Sequence, residues 1–172
     1  MANLRAIGQL AMGLSALGLV ACAGAPPQPA AEVPSSLLRL PVESDANVTA
    51  GKAAGQAIAA HAQQMLGVPY KYGGNSPRGF DCSGLVYYSH GQAGIKVPRT
   101  SRAQLRAAQR ITLQQARAGD LLFFKSRNYS HVAVYIGDDT FVHAPSTGKH
   151  VTLASLNNDY YRTHLVAVGR LH

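Results

Sequence analysis

The sequence lacks any block of consecutive basic residues, any internal repeat and any apolar run long enough to span a membrane comfortably. Charged residues make up only 14 % of the 172 residues and apolar residues 47 %, a balance that excludes disorder throughout the chain. Lys and Arg exceed Asp and Glu by 16 to 8, and this favours acidic surroundings. Because the basic residues are scattered, no nucleic-acid partner is predicted. The length suffices for one domain with an N-terminal extension.

The start of the chain is typical of an exported protein. Met1–Arg5 is short and positively charged, and Ile7–Ala21 is almost entirely apolar or small. This apolar run is shorter than the roughly 20 residues that a membrane span needs. Residues 1–21 are therefore predicted to be a signal peptide that is removed on export.

Leu19–Cys22 resembles the bacterial lipobox, in which the cysteine is lipidated and becomes the first mature residue. A lipid on Cys22 would anchor the protein to a membrane. By resemblance to Gram-negative lipoproteins, Ala23 rather than Asp at the next position implies the outer membrane, facing the periplasm. An ordinary signal peptide with an incidental cysteine is the alternative. If Cys22 is lipidated, Cys82 has no disulfide partner, and an unpaired cysteine in an exported protein requires an explanation.

Residues 22–51 are rich in Ala, Pro, Val and Ser and are predicted to form a flexible tether, followed by a folded domain over 52–172. Helical patterns come first in that domain and strand patterns later, which predicts an α+β fold. The predicted helices are Ala53–Leu66, Cys82–Ser89 capped by Asp81, and a polar helix to about Gln109, opened by Thr100 or Ser101, with Ser101 and Gln104 at capping-box spacing. The predicted strands are Leu121–Phe124, His131–Ile136, Thr140–Ala144, Val151–Leu153 and Leu165–Leu171, and Pro69–Gly79 is a predicted loop.

Cys82 has the predicted surroundings of a nucleophile. A thiol attacks as thiolate, so its pKa should be lowered, and a helix N-terminus favours negative charge. The backbone N–H groups at that helix end can also stabilise the oxyanion that forms when a thiolate attacks an amide. A base is still needed, with a third group to orient it.

His131 and His143 are the candidates for the base and its orienting group, because they lie on two strands joined by Gly137–Asp139. With Ile136 opposite Thr140, His131 lies diagonally next to His143 on one face of the sheet. A plain two-residue turn would put the two rings on opposite faces, so the shared face requires a three-residue loop or a β-bulge.

Several blocks of the chain, taken together and in this order, resemble the NlpC-type papain-like cell-wall peptidases over about residues 55–171. The matching blocks are Gly67–Gly74, Asp81–Val86, Val97–Ser101, Gly119–Phe124, His131–Gly137 and Phe141–Ala144. The resemblance implies helices packed on a five- to six-stranded antiparallel sheet, no cofactor and no metal. It also implies hydrolysis of a peptide bond in the stem or cross-link of peptidoglycan through a thioester. A monomer is the default expectation.

The resemblance also implies the role of each site residue. Cys82 would be the nucleophile, His131 the general base and later the acid, and His143 the residue that orients His131. Substrate-binding residues would be Tyr70, Asp81, Ser83 and Arg99, although Asp81 and Ser83 are also explained as helix-capping residues and Arg99 as a surface cation. The remaining histidines, His61, His90, His150, His164 and His172, are predicted to be surface or packing residues.

Three other functions stay open at this point. Cys82, His131 and His143 could be three zinc ligands, although no C-x-x-C partner or carboxylate–His motif is near. A non-enzymatic cell-wall scaffolding lipoprotein of the same fold is a second alternative. Acyl transfer through the same thioester is a third, because a fold does not dictate a reaction. The bond that is cut could lie between D-glutamate and diaminopimelate or at the cross-link. The absence of a recognisable wall-binding domain slightly favours the cross-link.

Overall fold

The computed structural model describes residues 45–126 and 129–172, all of which belong to one unit of the chain that begins at Pro41. The predicted signal peptide, Cys22 and residues 22–44 of the predicted tether lie outside these residues. The helices are α1 (Asp45–Gln63), α2 (Cys82–Gln92), α3 (Ser101–Ala107) and α4 (Asp159–His164). The strands are β1 (Asn75–Ser76), β2 (Gly79–Phe80), β3 (Gln109–Ile111), β4 (Leu121–Ser126), β5 (Tyr129–Gly137), β6 (Thr140–His143), β7 (Thr152–Ser155) and β8 (Leu165–Arg170), with a 3₁₀ turn at Leu113–Gln115.

A six-stranded antiparallel sheet forms the centre of the fold, in the order β3-β8-β4-β5-β6-β7. One face packs against α1 and α2 through Ile58, Leu85, Phe123 and Val132. The other face is covered by a smaller cluster that includes Leu122, Phe124, Phe141 and Tyr161. The predicted α+β fold with helices on an antiparallel sheet is therefore confirmed, with both faces of the sheet buried.

The first helix begins earlier than predicted. Residues 45–51, the last part of the predicted tether, belong to α1, which ends at Gln63 rather than Leu66. The segment after Pro41 contains good helix formers such as Ala46 and Ala50 and no further proline, so nothing stops the helix from extending outward.

The helix at the candidate nucleophile is confirmed. Asp81 is the N-cap of α2, and its Oδ1 accepts a hydrogen bond from the Gly84 N–H. The predicted capping box of the next helix is wrong, because Thr100 is the N-cap and accepts from the Ala103 N–H. Gln104 is instead fully buried, and its amide donates to the Ser83 and Pro98 carbonyls. This side chain ties α3 to the start of α2.

Three sets of elements were not predicted. The loop over 69–79 contains the small β1–β2 hairpin, β3 pairs with β8 at one edge of the sheet, and α4 precedes β8. Each is six residues or shorter, so a period of 2 or 3.6 has too few residues to be recognised.

The β5–β6 hairpin takes the form that the two histidines require. Val134 pairs with Val142 and Tyr135 with Phe141, but Gly137 pairs with Thr140, so Ile136 forms a β-bulge. Asp138 and Asp139 form a two-residue turn with φ of 48° and 55°, a conformation that Asp tolerates better than most residues. The bulge restores the register that places His131 and His143 on one face, as the sequence predicted for that case.

Candidate active site

Cys82 is the first residue of α2 and lies half-buried at the floor of a cleft of about 600 Å³. The backbone N–H groups of Val132 and Ser83 favour a negative charge on its sulfur. Val132 is the strand residue that follows His131. His131 lines the same cleft, so the structure brings these two predicted site residues together.

His131 and His143 form a buried pair, each about 2 % exposed. His131 Nε2 lies 2.9 Å from His143 Nδ1, and the rings meet edge to face. A proton on His131 Nε2 donated to His143 Nδ1 leaves Nδ1 of His131 as the nitrogen able to act as a base. His143 is thus in the position to select the tautomer of His131.

Burial keeps this group of side chains neutral. It lowers the pKa of His131 to about 3, with His143 contributing further, and that of His143 to about 4. Burial also raises the pKa of the Cys82 thiol, and the Asp81 charge adds to the rise, although the N–H groups of Val132 and Ser83 oppose it. The lowered thiol pKa expected from the helix N-terminus is therefore wrong for the resting site.

Asp81, Ser83 and Arg99 form one hydrogen-bonded network next to Cys82. The Arg99 guanidinium binds both Asp81 oxygens at 2.9 and 2.8 Å, and it also donates to Ser83 Oγ and the Gly74 carbonyl. Asp81 accepts further from the Gly73 and Gly84 N–H groups and from Ser83. These donors outweigh burial and lower the pKa of Asp81 below 3.8. All three side chains line the cleft, and together they hold the start of α2 against the preceding loop.

Tyr70 lines the cleft beside Cys82, as predicted. Its backbone N–H donates to the Lys149 carbonyl, which fixes it against the loop after β6. Burial raises the pKa of its phenol, and the nearby Cys82 and Asp81 add to the rise, so the hydroxyl stays a hydrogen-bond donor. The remaining lining residues, which sequence reasoning did not single out, are Tyr72, Gly73, Thr100, Ser101, Ser130 and Pro145.

Tyr161 is a site residue that sequence reasoning missed. Its hydroxyl lies 3.5 Å from His143 Nε2, and its ring packs edge to face on His143 and Phe141. It comes from α4, which has six residues and no recognisable pattern, so no signal in the sequence pointed to it.

The other histidines lie outside the cleft lining. His90 is fully buried in α2, with Nδ1 2.9 Å from the Val86 carbonyl, and His172 lies 4.0 Å from Asp120 in a second buried charged cluster with Arg170. Within residues 45–126 and 129–172, no group of three His, Cys, Asp or Glu side chains is placed to hold one metal ion. No helix in this part of the chain has the length and apolar character needed to cross a membrane.

Comparison with known proteins gives a consistent set of relatives. The profile of the NlpC/P60 family matches residues 67–170. The murein DD-endopeptidase MepH of Escherichia coli is 42 % identical over 115 residues, which cover 63 % of this chain and 42 % of that protein. The bifunctional muramidase/DL-endopeptidase CwlT of Bacillus subtilis is 37 % identical over 121 residues, covering 67 % and 36 %. This chain therefore spans less than half the length of these curated relatives.

Solved structures resemble the fold closely. The NlpC/p60 domain of the peptidoglycan hydrolase SagA superposes with a TM-score of 0.59 at 36 % identity, covering 67 % of this chain and 97 % of that domain. This likeness confirms the papain-like arrangement expected from the sequence.

Proposed function

This chain belongs to the NlpC/P60 family, and from that premise we propose that it is a cysteine peptidase that hydrolyses a peptide bond in the stem or cross-link of bacterial peptidoglycan. The observation that carries the proposal is one cleft that is lined by both Cys82 and His131. Cys82 lies at the start of α2, and His131 is hydrogen-bonded to His143. A thiol, a base and an orienting group are what amide hydrolysis through a thioester requires.

The proposed reaction has two halves. Cys82 Sγ attacks the scissile carbonyl carbon as the thiol proton passes to His131 Nδ1, and His131 then gives that proton to the leaving amine. The C–N bond breaks and a thioester remains on Cys82. A water molecule, deprotonated by His131, attacks the thioester, and the returned proton restores the thiol as the acid product leaves.

The oxyanion of each half-reaction needs hydrogen-bond donors near Cys82. The N–H groups of Cys82 and Ser83 at the start of α2 and the Tyr70 hydroxyl are the proposed donors. Asp81, Ser83 and Arg99 are proposed to bind the acyl part of the substrate on the Cys82 side of the cleft. Their mutual hydrogen bonds mean that they present a preformed, nearly neutral wall to the substrate.

The relatives include proteins named as DD- and DL-endopeptidases, so both bond types are within the scope of the proposal. We favour the cross-link slightly, because MepH, a relative that is 42 % identical, is named as a murein DD-endopeptidase. The protein is proposed to be exported, anchored by lipid on Cys22 to the outer membrane on its periplasmic side, and to act as a monomer. A Cys22→Ser variant that still fractionates with membranes and keeps the wild-type mass would contradict the anchor.

The test is incubation of the purified full chain, in detergent, with intact sacculi and isolated muropeptides, read by mass spectrometry beside Cys82→Ala and His131→Ala. Conversion of cross-linked dimers to monomers identifies a cross-link endopeptidase, and shortened stems identify the glutamate–diaminopimelate bond. Both variants should be folded by circular dichroism and nearly inactive. Wild-type activity in either folded variant would refute the proposed mechanism. The absence of any Cys82-dependent product would refute hydrolysis in favour of acyl transfer or scaffolding.

A further inference from the structure

A second cavity lies behind the His131–His143 pair. It has a volume of about 270 Å³ and is lined by His143, Pro145, Ser146, Lys149, Tyr160 and Tyr161. Pro145 also lines the catalytic cleft, so the two spaces share a wall. In the proposed mechanism His131 protonates the leaving amine, so the residue that carries this amine must lie on the His131 side of the cleft. The second cavity, which His143 lines, adjoins that side of the cleft.

The lining of this cavity suits an anion. It holds the Lys149 ammonium and the hydroxyl groups of Ser146, Tyr160 and Tyr161, and it includes no acidic residue. Within the part of the chain that the structure describes, the ion pairs of Asp81, Asp120 and Asp159 all involve arginine or histidine, so Lys149 has no carboxylate partner there. A cation surrounded by hydroxyl donors is an arrangement that binds carboxylates through charge-assisted hydrogen bonds.

The position of Lys149 is fixed relative to the nucleophile. Its carbonyl accepts from the Tyr70 N–H at 2.8 Å, and its own N–H donates to the Ser146 carbonyl at 3.1 Å. Two residues further on, the Val151 N–H donates to the Val68 carbonyl, and the Val151 carbonyl accepts from the Gly67 N–H. The loop that presents Lys149 is thus attached to the segment that also positions Tyr70 beside Cys82.

We infer that this cavity is a carboxylate subsite, which selects substrates whose leaving amine is carried by a residue with a free carboxylate. The inference rests on the proposed function and specifies its leaving-group side. It has an electrostatic consequence for catalysis. Burial and then the Lys149 charge keep the pKa of His143 low, which disfavours a proton on the histidine pair. A substrate carboxylate beside Lys149 offsets that charge when His131 takes the thiol proton.

The experiment compares two peptides that differ in one group. Both peptides contain the same scissile bond, in which diaminopimelate provides the leaving amine. In one peptide the carboxyl group next to that amine is free, and in the other it is converted to a primary amide. We compare kcat/KM for four proteins: the wild-type full chain, Lys149→Met, Lys149→Arg and the control Lys52→Met. Lys52 is an exposed lysine on α1 that lines neither cavity.

The wild type and Lys52→Met should prefer the free carboxylate by about fivefold, the upper range for an exposed ion pair. Lys149→Met should lose that preference, so that the ratio of kcat/KM for the acid peptide to kcat/KM for the amide peptide falls to about one, and Lys149→Arg should largely keep it. An unchanged preference in Lys149→Met, or an equal loss on both peptides, overturns the subsite and leaves the proposed function intact.

A binding measurement separates failure of the subsite from failure of the proposed function. Free diaminopimelate and its diamide are titrated into Cys82→Ala protein with and without Lys149→Met, followed by NMR shifts of His143 and Tyr161. Preference for the acid that disappears with Lys149→Met supports the subsite even if the wild type cleaves neither peptide. Equal shifts from acid and diamide refute it.

Discussion

Replacing Arg99 by methionine tests whether the Asp81–Ser83–Arg99 network holds the nucleophile in place. The change removes four hydrogen bonds, two of them to Asp81, while leaving the Gly73 and Gly84 N–H donors on that carboxylate. The side chains of Arg99 and Asp81 are 31 % and 14 % exposed, so the pair is neither fully buried nor a surface pair. Breaking it should cost about 2–3 kcal/mol of unfolding free energy, between the values for those two classes.

The assay is urea unfolding of the full chain at pH 7 and pH 3. The lowered pKa of Asp81 stabilises the fold above the ordinary value of 3.8, and this contribution is lost as the pH falls through the lower, folded-state value. The gap between wild type and Arg99→Met should therefore be widest at pH 7 and narrower at pH 3. NMR titration should show the Asp81 pKa moving up toward its ordinary value in the variant.

Two further variants make the result specific. Arg99→Lys should recover only part of the loss, because an ammonium cannot bind both carboxylate oxygens as a guanidinium does. Arg162→Met breaks an exposed ion pair with Asp159 on α4 and should cost about 0.5 kcal/mol or less. If Arg99→Met cost no more than Arg162→Met, the network would not be supporting the start of α2, and its members would have to be explained by substrate contacts alone.

Three other predictions concern the Cys82 thiol, the close approach of Gly84 to Gly74, and Tyr161. Alkylation of Cys82 by iodoacetamide should keep rising with pH up to pH 9 without levelling off, because burial raises the thiol pKa above its ordinary value of 9.0; a plateau already present at pH 5 would show a resting ion pair instead. Gly84→Ala should destabilise by about 3 kcal/mol, because its Cβ would lie 1.9 Å from the Gly74 carbonyl oxygen, whereas Gly91→Ala on the same helix has open space and should be neutral or slightly stabilising in urea unfolding. Tyr161→Phe should lower kcat by about threefold through loss of the hydroxyl next to His143, and a change in KM with kcat unaltered would contradict that role.

The sequence could predict those parts of the fold in which several residues repeat one pattern. Val132, Val134 and their partners on β4 and β6 form continuous apolar segments, and Asp81 before Cys82 has the composition of a helix start. The short elements β3 and α4 could not be predicted, because they have too few residues to show a hydrophobic period. Residues that act through such elements, above all Tyr161, could not be found without the structure.

For the β5–β6 hairpin, the sequence predicts only the condition under which His131 and His143 share a face. The alternation of apolar residues left two registers for β5 and β6, which differ in whether His131 and His143 share a face. The bulge at Ile136 decides between them, and it depends on how Asp138 and Asp139 turn and on how both faces of the sheet are packed. Those are tertiary properties, so the sequence could state the requirement for a bulge but could not supply it.

The protonation state of the nucleophile was predicted wrongly for an instructive reason. A helix N-terminus favours a thiolate, but the same fold that places Cys82 there also buries it beside the Asp81 charge. Burial is a sum over residues distant in sequence, whereas the helix end is a local feature, so only the second is readable from the chain. Arg99 binds both oxygens of Asp81, so its charge acts on that carboxylate as well as on the sulfur. In the proposed mechanism the reactive form of Cys82 therefore arises during attack, when the proton passes to His131 and the developing charge meets the N–H groups of α2.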